Sequence, residues 1–366
     1  MNSLSPALRR ARRSSAALGE AAAAATAAEG EELLRVSDLT VAFRGRKRVI
    51  EIVHGLDLSL HAGRTLVLLG ESGSGKSVTA RAILRLLGAG AVVEGSVRLG
   101  ATELTELPES SMGLVRGGAV GMVSQDPSGS LDPLRRAGPQ IVEVLLRHEI
   151  ESDTRRARAH ARELLSQVGL RDPDRVLRSY PFELSGGMRQ RIAIAIAIGC
   201  RPRVLIADEP TTALDVTVQA QVLELFARLQ RELNLAILLV THDVGVARVI
   251  GDDVAVMYAG RLVETGPAEV VLTDPRHPYT TALLDALPLP GIARGALRSI
   301  PGQPPGPGAR PWEGACAFAP RCRSATGACT SHRPPLSALG PGRLTGCDVI
   351  ADGAPRPGED RREVSA

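Results

Sequence analysis

Eight consecutive residues, Gly70-Glu71-Ser72-Gly73-Ser74-Gly75-Lys76-Ser77, have the types and spacing of a phosphate-binding loop. Glycines let successive backbone N–H groups turn toward one point and form an anion nest. A helix opening at the end of the loop adds the positive end of its dipole. In that arrangement Gly70, Gly73, Ser74 and Gly75 wall the site. Lys76 reaches the β- and γ-phosphates of a nucleotide, and the Ser77 hydroxyl meets Mg²⁺. Of 44 basic residues only Lys47 and Lys76 are lysines. A lysine at this position is what a compact ammonium on a flexible stem requires.

Phosphate chemistry also needs carboxylates and something to aim a water. Asp208 and Glu209 close the run Arg203-Val204-Leu205-Ile206-Ala207-Asp208-Glu209-Pro210. Side chains alternate along a strand, so the two acids are expected to diverge. Asp208 would hold Mg²⁺ and Glu209 would polarise the attacking water. Gln125 and His242 each follow an apolar run, and on their own are ordinary polar residues at strand ends. A second Gly-rich turn, Leu184-Ser185-Gly186-Gly187-Met188-Arg189-Gln190, lies far from the first.

These residues need a scaffold of strands and helices. Residues 65–69, 203–210 and 236–240 read as buried strands, and 78–87 as the helix after the phosphate loop. Residues 140–148 and 154–168 read as helices, the second Arg-rich on one face. Ile192-Ala193-Ile194-Ala195-Ile196-Ala197-Ile198 alternates with period two, which by itself predicts a strand. Its alanines favour helix, and Gly199-Cys200-Arg201-Pro202 stops it. Alternating strands and helices predict a mostly parallel sheet covered on both faces.

Taken together, the motifs resemble those of ATP-binding-cassette (ABC) transporter ATPases over roughly residues 33–347. The resemblance pairs the phosphate loop with a Q-loop at Gln125 and a signature at 184–190. The carboxylate strand, a D-loop at Ala213-Leu214-Asp215 and a switch histidine at His242 follow in the family's order. It implies an α/β P-loop NTPase with a RecA-like core and an inserted helical subdomain at about 136–199. It settles the Ile/Ala run as a helix, apolar all round and hence buried. It implies Phe43 stacked on adenine and Gln125 beside Asp208 and Ser77 on Mg²⁺. Ser185, Gly186, Gly187 and Asp215 would touch nucleotide, the signature reaching the γ-phosphate bound by a second cassette. The implied catalytic set is Glu209, His242, Gln125 and Lys76, with ATP and Mg²⁺.

Within that family, 125–133 (QDPSGSLDP), 185–191 and 208–221 (DEPTTALDVTVQAQ) resemble the ATPases of oligopeptide and dipeptide importers, with nickel importers as close relatives. His277-Pro278-Tyr279-Thr280 opens an extension typical of that group. The expected organisation is a tail at 1–30, a nucleotide-binding domain at 31–275, the extension at 276–349 and a disordered tail at 350–366. The implied partners are a second ATPase subunit, two transmembrane permeases and an extracytoplasmic substrate-binding protein, at the cytoplasmic face of the cell membrane.

Cys316, Cys322, Cys329 and Cys347 cluster in the Pro-rich extension with spacings C-x5-C-x6-C-x17-C. Four such thiols in a cytosolic chain suggest metal rather than disulfides. An iron–sulfur cluster or tetrahedral Zn²⁺ would suit them. The 316–322 segment resembles the one that ligates a [4Fe–4S] cluster in peptide-importer ATPases, although Arg323 stands where that group often has proline. Cys200, after the Ile/Ala helix, reads as a structural thiol.

Composition narrows the remaining classes. The net charge is +4 and aromatics are 2%, too few for the stacking platforms of a nucleic-acid binder. No apolar run reaches the length of a membrane span. A soluble ABC ATPase of DNA maintenance or translation is the alternative from another class. Such chains carry two cassettes, a long coiled-coil insertion or zinc within the cassette, whereas here the cysteines follow an uninterrupted one.

Overall fold

The computed structural model describes residues 28–45, 48–212, 214–287, 299–306 and 314–351. Residues 1–27 and 352–366 of the expected tails, with Lys47 and Ala213, lie outside them. In chain order the elements are β1 (Glu32–Arg44), β2 (Val49–His61), β3 (Thr65–Leu69), α1 (Lys76–Ile83), β4 (Ala91–Leu99), β5 (Thr102–Glu103), α2 (Glu109–Val115) and β6 (Val120–Val123). Next come α3 (Pro127–Ser130), α4 (Ala137–Arg147), α5 (Thr154–Gln167), α6 (Pro173–Arg178), α7 (Gly186–Ile198), β7 (Val204–Asp208), α8 (Val216–Leu233), β8 (Ala236–Thr241) and α9 (Val244–Ile250). The chain ends with β9 (Asp253–Tyr258), β10 (Arg261–Pro267), α10 (Ala268–Thr273), α11 (Pro278–Asp285), β11 (Ser337–Gly340), β12 (Arg343–Thr345) and α12 (Asp348–Ala351). Contacts divide the chain into two compact, interleaved units.

One unit holds the residues up to Arg35, Ser59–Thr65 and Val97–Val240. Its strands β6, β7 and β8 lie side by side and parallel, with Val120 opposite Val204 and Val204 opposite Ala236. Every residue of β7 is buried, as expected of a parallel strand covered on both faces. The helices α4, α5 and α6 follow β6. α5 starts at Asp153, whose carboxylate accepts from the backbone of Arg155 and Arg156. It buries Ala157, Ala161, Leu164 and Leu165, spaced as one helical face, and leaves its arginines outward. The Ile/Ala run is helical, in α7, with Ile192, Ile194, Ala195 and Ile198 nearly inaccessible. Period-two alternation misleads here because a helix buried on all sides has no polar face to set its period.

The other unit holds Val36–Leu58, Leu66–Ser96 and the chain from Thr241 onward. There β3 runs parallel to β9, with Leu66 opposite Asp253. Beyond β9 the mostly parallel order gives way, and β10, β12 and β11 are each antiparallel to their neighbour. The reason is local. Ala259 and Gly260 both have positive φ, 46° and 80°, the two-residue turn that reverses a strand into a hairpin. β12, from the extension, pairs with β10 at Glu264 and Thr265. β2, β1, β4 and β5 form a separate sheet, which the sequence pattern did not separate from the main one.

Candidate nucleotide site

The phosphate loop is carried between β3, buried at Val67, Leu68 and Leu69, and α1. The helix opens at Lys76, two residues before the expected Val78, and ends at Ile83 rather than Leu87. Gly75 has φ 106°, and a Cβ there would stand 2.8 Å from the Met257 methyl. The loop can take this shape only with glycine at that position. Lys76 is 4% exposed. Its ammonium donates to the carbonyls of Gly70 (2.8 Å) and Glu71 (2.9 Å), which arches it back over the loop. Ser74 is also buried, and its hydroxyl has no hydrogen-bond partner among the described residues. A buried, unsatisfied hydroxyl beside a buried ammonium at a helix start is a cradle that fits a phosphate. Ser77 stands half-buried in the first turn of α1.

The carboxylate pair is in the other unit. Asp208 ends β7 completely buried. The two acids do diverge, but not by the alternation of a continuing strand. β7 stops at Asp208, and Glu209 turns away with φ 47°, a left-handed backbone that is rare for a non-glycine residue. The Glu209 N–H donates to the Val240 carbonyl at 2.9 Å, which pins that turn. Its Oε2 accepts from Gln125 Nε2 and from Thr212 Oγ1, both at 3.0 Å. Sequence reasoning named Gln125 and missed Thr212. A hydroxyl three residues after the acid was the available signal.

The signature turn belongs to the same unit. Ser185 caps α7, its hydroxyl accepting from Met188 N at 3.3 Å. A Cβ on Gly187 would come within 2.7 Å of Val218, so glycine is what lets the turn lie against α8. Arg189 donates to the Leu184 carbonyl at 2.8 Å and braces the turn from behind. Asp215 caps α8 through Val218 N at 2.9 Å. Phe43 lies half-buried near the end of β1, and His242 is exposed just after β8.

The four cysteines of the extension are thiols without disulfides. All four line one cavity of about 270 Å³, with His277, Phe318 and His332. Cys316 N donates to the Cys329 carbonyl at 2.9 Å. Burial raises the Cys316 thiol pKa and pushes that of Cys322 up to about 11. Thiol donors suit a soft metal or a cluster. Among the described residues, however, no three His, Cys, Asp or Glu side chains are arranged to hold one metal ion. The expected iron–sulfur or zinc centre therefore has a suitable donor set but no formed ligand shell. Cys200 is buried, its thiol pushed up to about 11 by burial, as a structural thiol would be.

A parallel α/β core, a phosphate loop between strand and helix, and a carboxylate strand define a P-loop NTPase. Residues 53–212 match the family model for ABC transporters, and residues 263–329 match that for the oligopeptide/dipeptide transporter C-terminal region. The chain is 44% identical over 315 residues to the oligopeptide transport ATP-binding protein OppD of Salmonella typhimurium, covering 86% of this chain and 93% of that one. It is 43% identical over 317 residues to AppD of Bacillus subtilis, covering 86% and 96%. Among solved structures, a dimeric ATP-binding cassette in a post-hydrolysis state with ADP and Pi superposes with a TM-score of 0.58 at 26% identity. That match covers 64% of this chain and 99% of the other. The chain belongs to the ABC transporter ATPases, in the oligopeptide/dipeptide transporter family.

Proposed function

We propose that this chain hydrolyses ATP to drive uptake of di- or oligopeptides through a membrane importer. The observation that carries the reading is Glu209, held by Gln125 and Thr212 one residue beyond the buried Asp208. A carboxylate fixed in that way can take a proton from water without swinging to find it. Lys76 would meet the β- and γ-phosphates, and Ser77, Asp208 and Gln125 would hold Mg²⁺. Gly70, Gly73, Ser74 and Gly75 would surround the phosphates, and Phe43 would stack on adenine. Mg²⁺ neutralises charge on the phosphoryl oxygens when bound. His242 would orient the water and γ-phosphate. Ser185, Gly186, Gly187 and Asp215 would meet the nucleotide of a second cassette, identical or paralogous.

The transport role rests on the relatives. Among the described residues no helix is long and apolar enough to cross a membrane. The path would belong to two permease subunits, loaded by an extracytoplasmic substrate-binding protein, with this chain peripheral on the cytoplasmic face. Leu134 and Phe182, 85% and 71% exposed, are apolar side chains suited to such an interface. The peptide relatives favour this reading over a nickel importer and over a soluble ATPase of DNA maintenance or translation. The four thiols would hold a [4Fe–4S] cluster as a cross-link of the extension, and their shared cavity supports that assignment. Anaerobic purification should then give stoichiometric iron and sulfide, and zinc in their place would reject it.

The transport reading is tested with the assembled complex in vesicles. Labelled peptides should enter only with ATP and the binding protein. Nickel uptake without peptide uptake would assign the substrate elsewhere in the family.

A further inference from the structure

Glu71, the second residue of the phosphate loop, is gripped from three directions within its own unit. Its N–H donates to the Tyr279 hydroxyl at 2.8 Å. Its carbonyl accepts from Lys76 Nζ at 2.9 Å and from Ser74 N at 3.2 Å. Its carboxylate takes both arms of Arg321, Oε2 to Nη1 at 2.7 Å and Oε1 to Nη2 at 3.1 Å.

Arg321 comes from the far end of the chain. It closes the short turn Ala319–Arg321, between Cys316 and Cys322. Its side chain is 5% exposed, against 23% for Glu71. Its Nε donates to the Pro301 carbonyl at 2.8 Å, and Nη1 also reaches the Tyr258 hydroxyl at 3.3 Å. The guanidinium carbon lies 5.8 Å from the Tyr258 ring centre and 6.0 Å from that of Phe318. Tyr258, Tyr279 and Phe318 pack on one another, with centroids 4.6 to 5.4 Å apart. The planar fork is therefore set before it meets the carboxylate, the geometry in which a bidentate arginine is strongest.

A carboxylate in a loop that receives a polyanion works against binding, because like charges repel across a weakly screened distance. The Glu71 N–H is already spent on Tyr279, so that end of the loop is held by the protein rather than by phosphate. We propose that Arg321 is a positioning residue of the phosphate loop: from the cysteine-bearing extension it neutralises Glu71 and, with Tyr279, holds the loop in the shape that receives the phosphates. The proposal rests on the reading of residues 70–77 as the ATP phosphate site. It makes the extension part of the nucleotide machinery rather than an appendage to it.

The test is MgATP affinity of the purified full chain, read with a fluorescent ATP analogue at low and moderate salt. Melting temperature is recorded for each variant. Arg321→Gln should weaken binding about tenfold, and the deficit should shrink as salt screens the uncompensated carboxylate. Adding Glu71→Gln should restore affinity to within about threefold of wild type, because the uncompensated charge is gone. Arg321→Lys, which keeps the charge but loses the fork, should fall between wild type and Arg321→Gln. An Arg321→Gln variant that binds normally would overturn the proposal. So would a double variant no better than Arg321→Gln, even if both melt lower, since a merely structural loss is not repaired by removing Glu71. Lys76→Ala separates the two levels of inference. If it binds like wild type, the phosphate-site reading itself fails. If it loses binding while Arg321→Gln does not, only the role of Arg321 falls.

Discussion

Glu209 carries a cost that its surroundings must meet. A non-glycine residue at φ 47° stores about 1–3 kcal/mol of backbone strain. The bonds to Val240, Gln125 and Thr212 hold it there. Glu209→Gln removes the carboxylate and preserves the shape. ATP turnover in the assembled complex should fall about 10²–10⁴-fold, with MgATP binding retained. Thr212→Val leaves the acid but frees it. Its expected effect is a lower kcat with little change in KM, since the bond that is lost is one to the acid. The acids and the lysine were legible because phosphate chemistry favours their types and spacing, whereas Gln125 stood out only through the family resemblance. Thr212 was not, because a threonine near an acid is common, and only the fold shows which oxygen it bonds. The divergence of Asp208 and Glu209 was expected for the wrong reason. It comes from a backbone turn that no side-chain pattern announces.

At the scale of elements, α7 shows where pattern reading fails. Its Ile/Ala alternation has the period of a strand, yet burial on every side removes the polar positions that would reveal a helix. The same burial traps Gln190, which is fully inaccessible, its side-chain amide without a hydrogen-bond partner among the described residues. An unsatisfied buried amide costs about 1–3 kcal/mol. Gln190→Met should therefore raise the melting temperature, and a lowered one would show that the amide is satisfied by water.

The start of α11 gives a pH prediction. His277 is 2% exposed, and its Nδ1 accepts from Tyr279 N at 3.1 Å, which only an unprotonated nitrogen can do. Burial pushes its pKa down to about 3, from an ordinary 6.5. The unfolded chain thus takes up the proton first. Stability from this site is complete above pH 6.5 and declines as pH falls toward 3, by about 1.4 kcal/mol per pH unit. Melting temperature should drop between pH 7 and pH 5. In His277→Asn, which keeps a capping acceptor but does not titrate, that drop should be smaller. Equal slopes in the two proteins would remove His277 as the cause. The sequence marked residues 277–280 as the opening of an extension, but not the burial that makes the histidine pH-sensitive.

For the molecule as a whole, the extension is fastened to its unit by buried charge. Glu264 is inaccessible, pairs with Arg343 at 2.9 Å, and accepts from the backbone of Arg276 and His277. Arg343→Met would leave that carboxylate buried without its cation, and unfolding free energy should fall by about 3–5 kcal/mol. Adding Glu264→Gln should recover part of the loss. Long-range ties of this kind were invisible in the sequence, because residues 79 apart in the chain give no local signal of their pairing. The phosphate loop, by contrast, was legible because all its parts lie within eight residues, where physics constrains each one.

The central claim is that this chain turns over ATP through Glu209 only when a second cassette closes on it within a transporter. The most direct measurement compares ATPase rate and nucleotide occupancy of the assembled complex, wild type against Glu209→Gln, with the isolated chain beside them. The expected result is low turnover by the isolated chain and peptide-stimulated turnover by the wild-type complex. The Glu209→Gln complex should be closed, hold MgATP and leave it uncleaved. Normal turnover by the Glu209→Gln complex, or full activity of the isolated chain as a monomer, would contradict it.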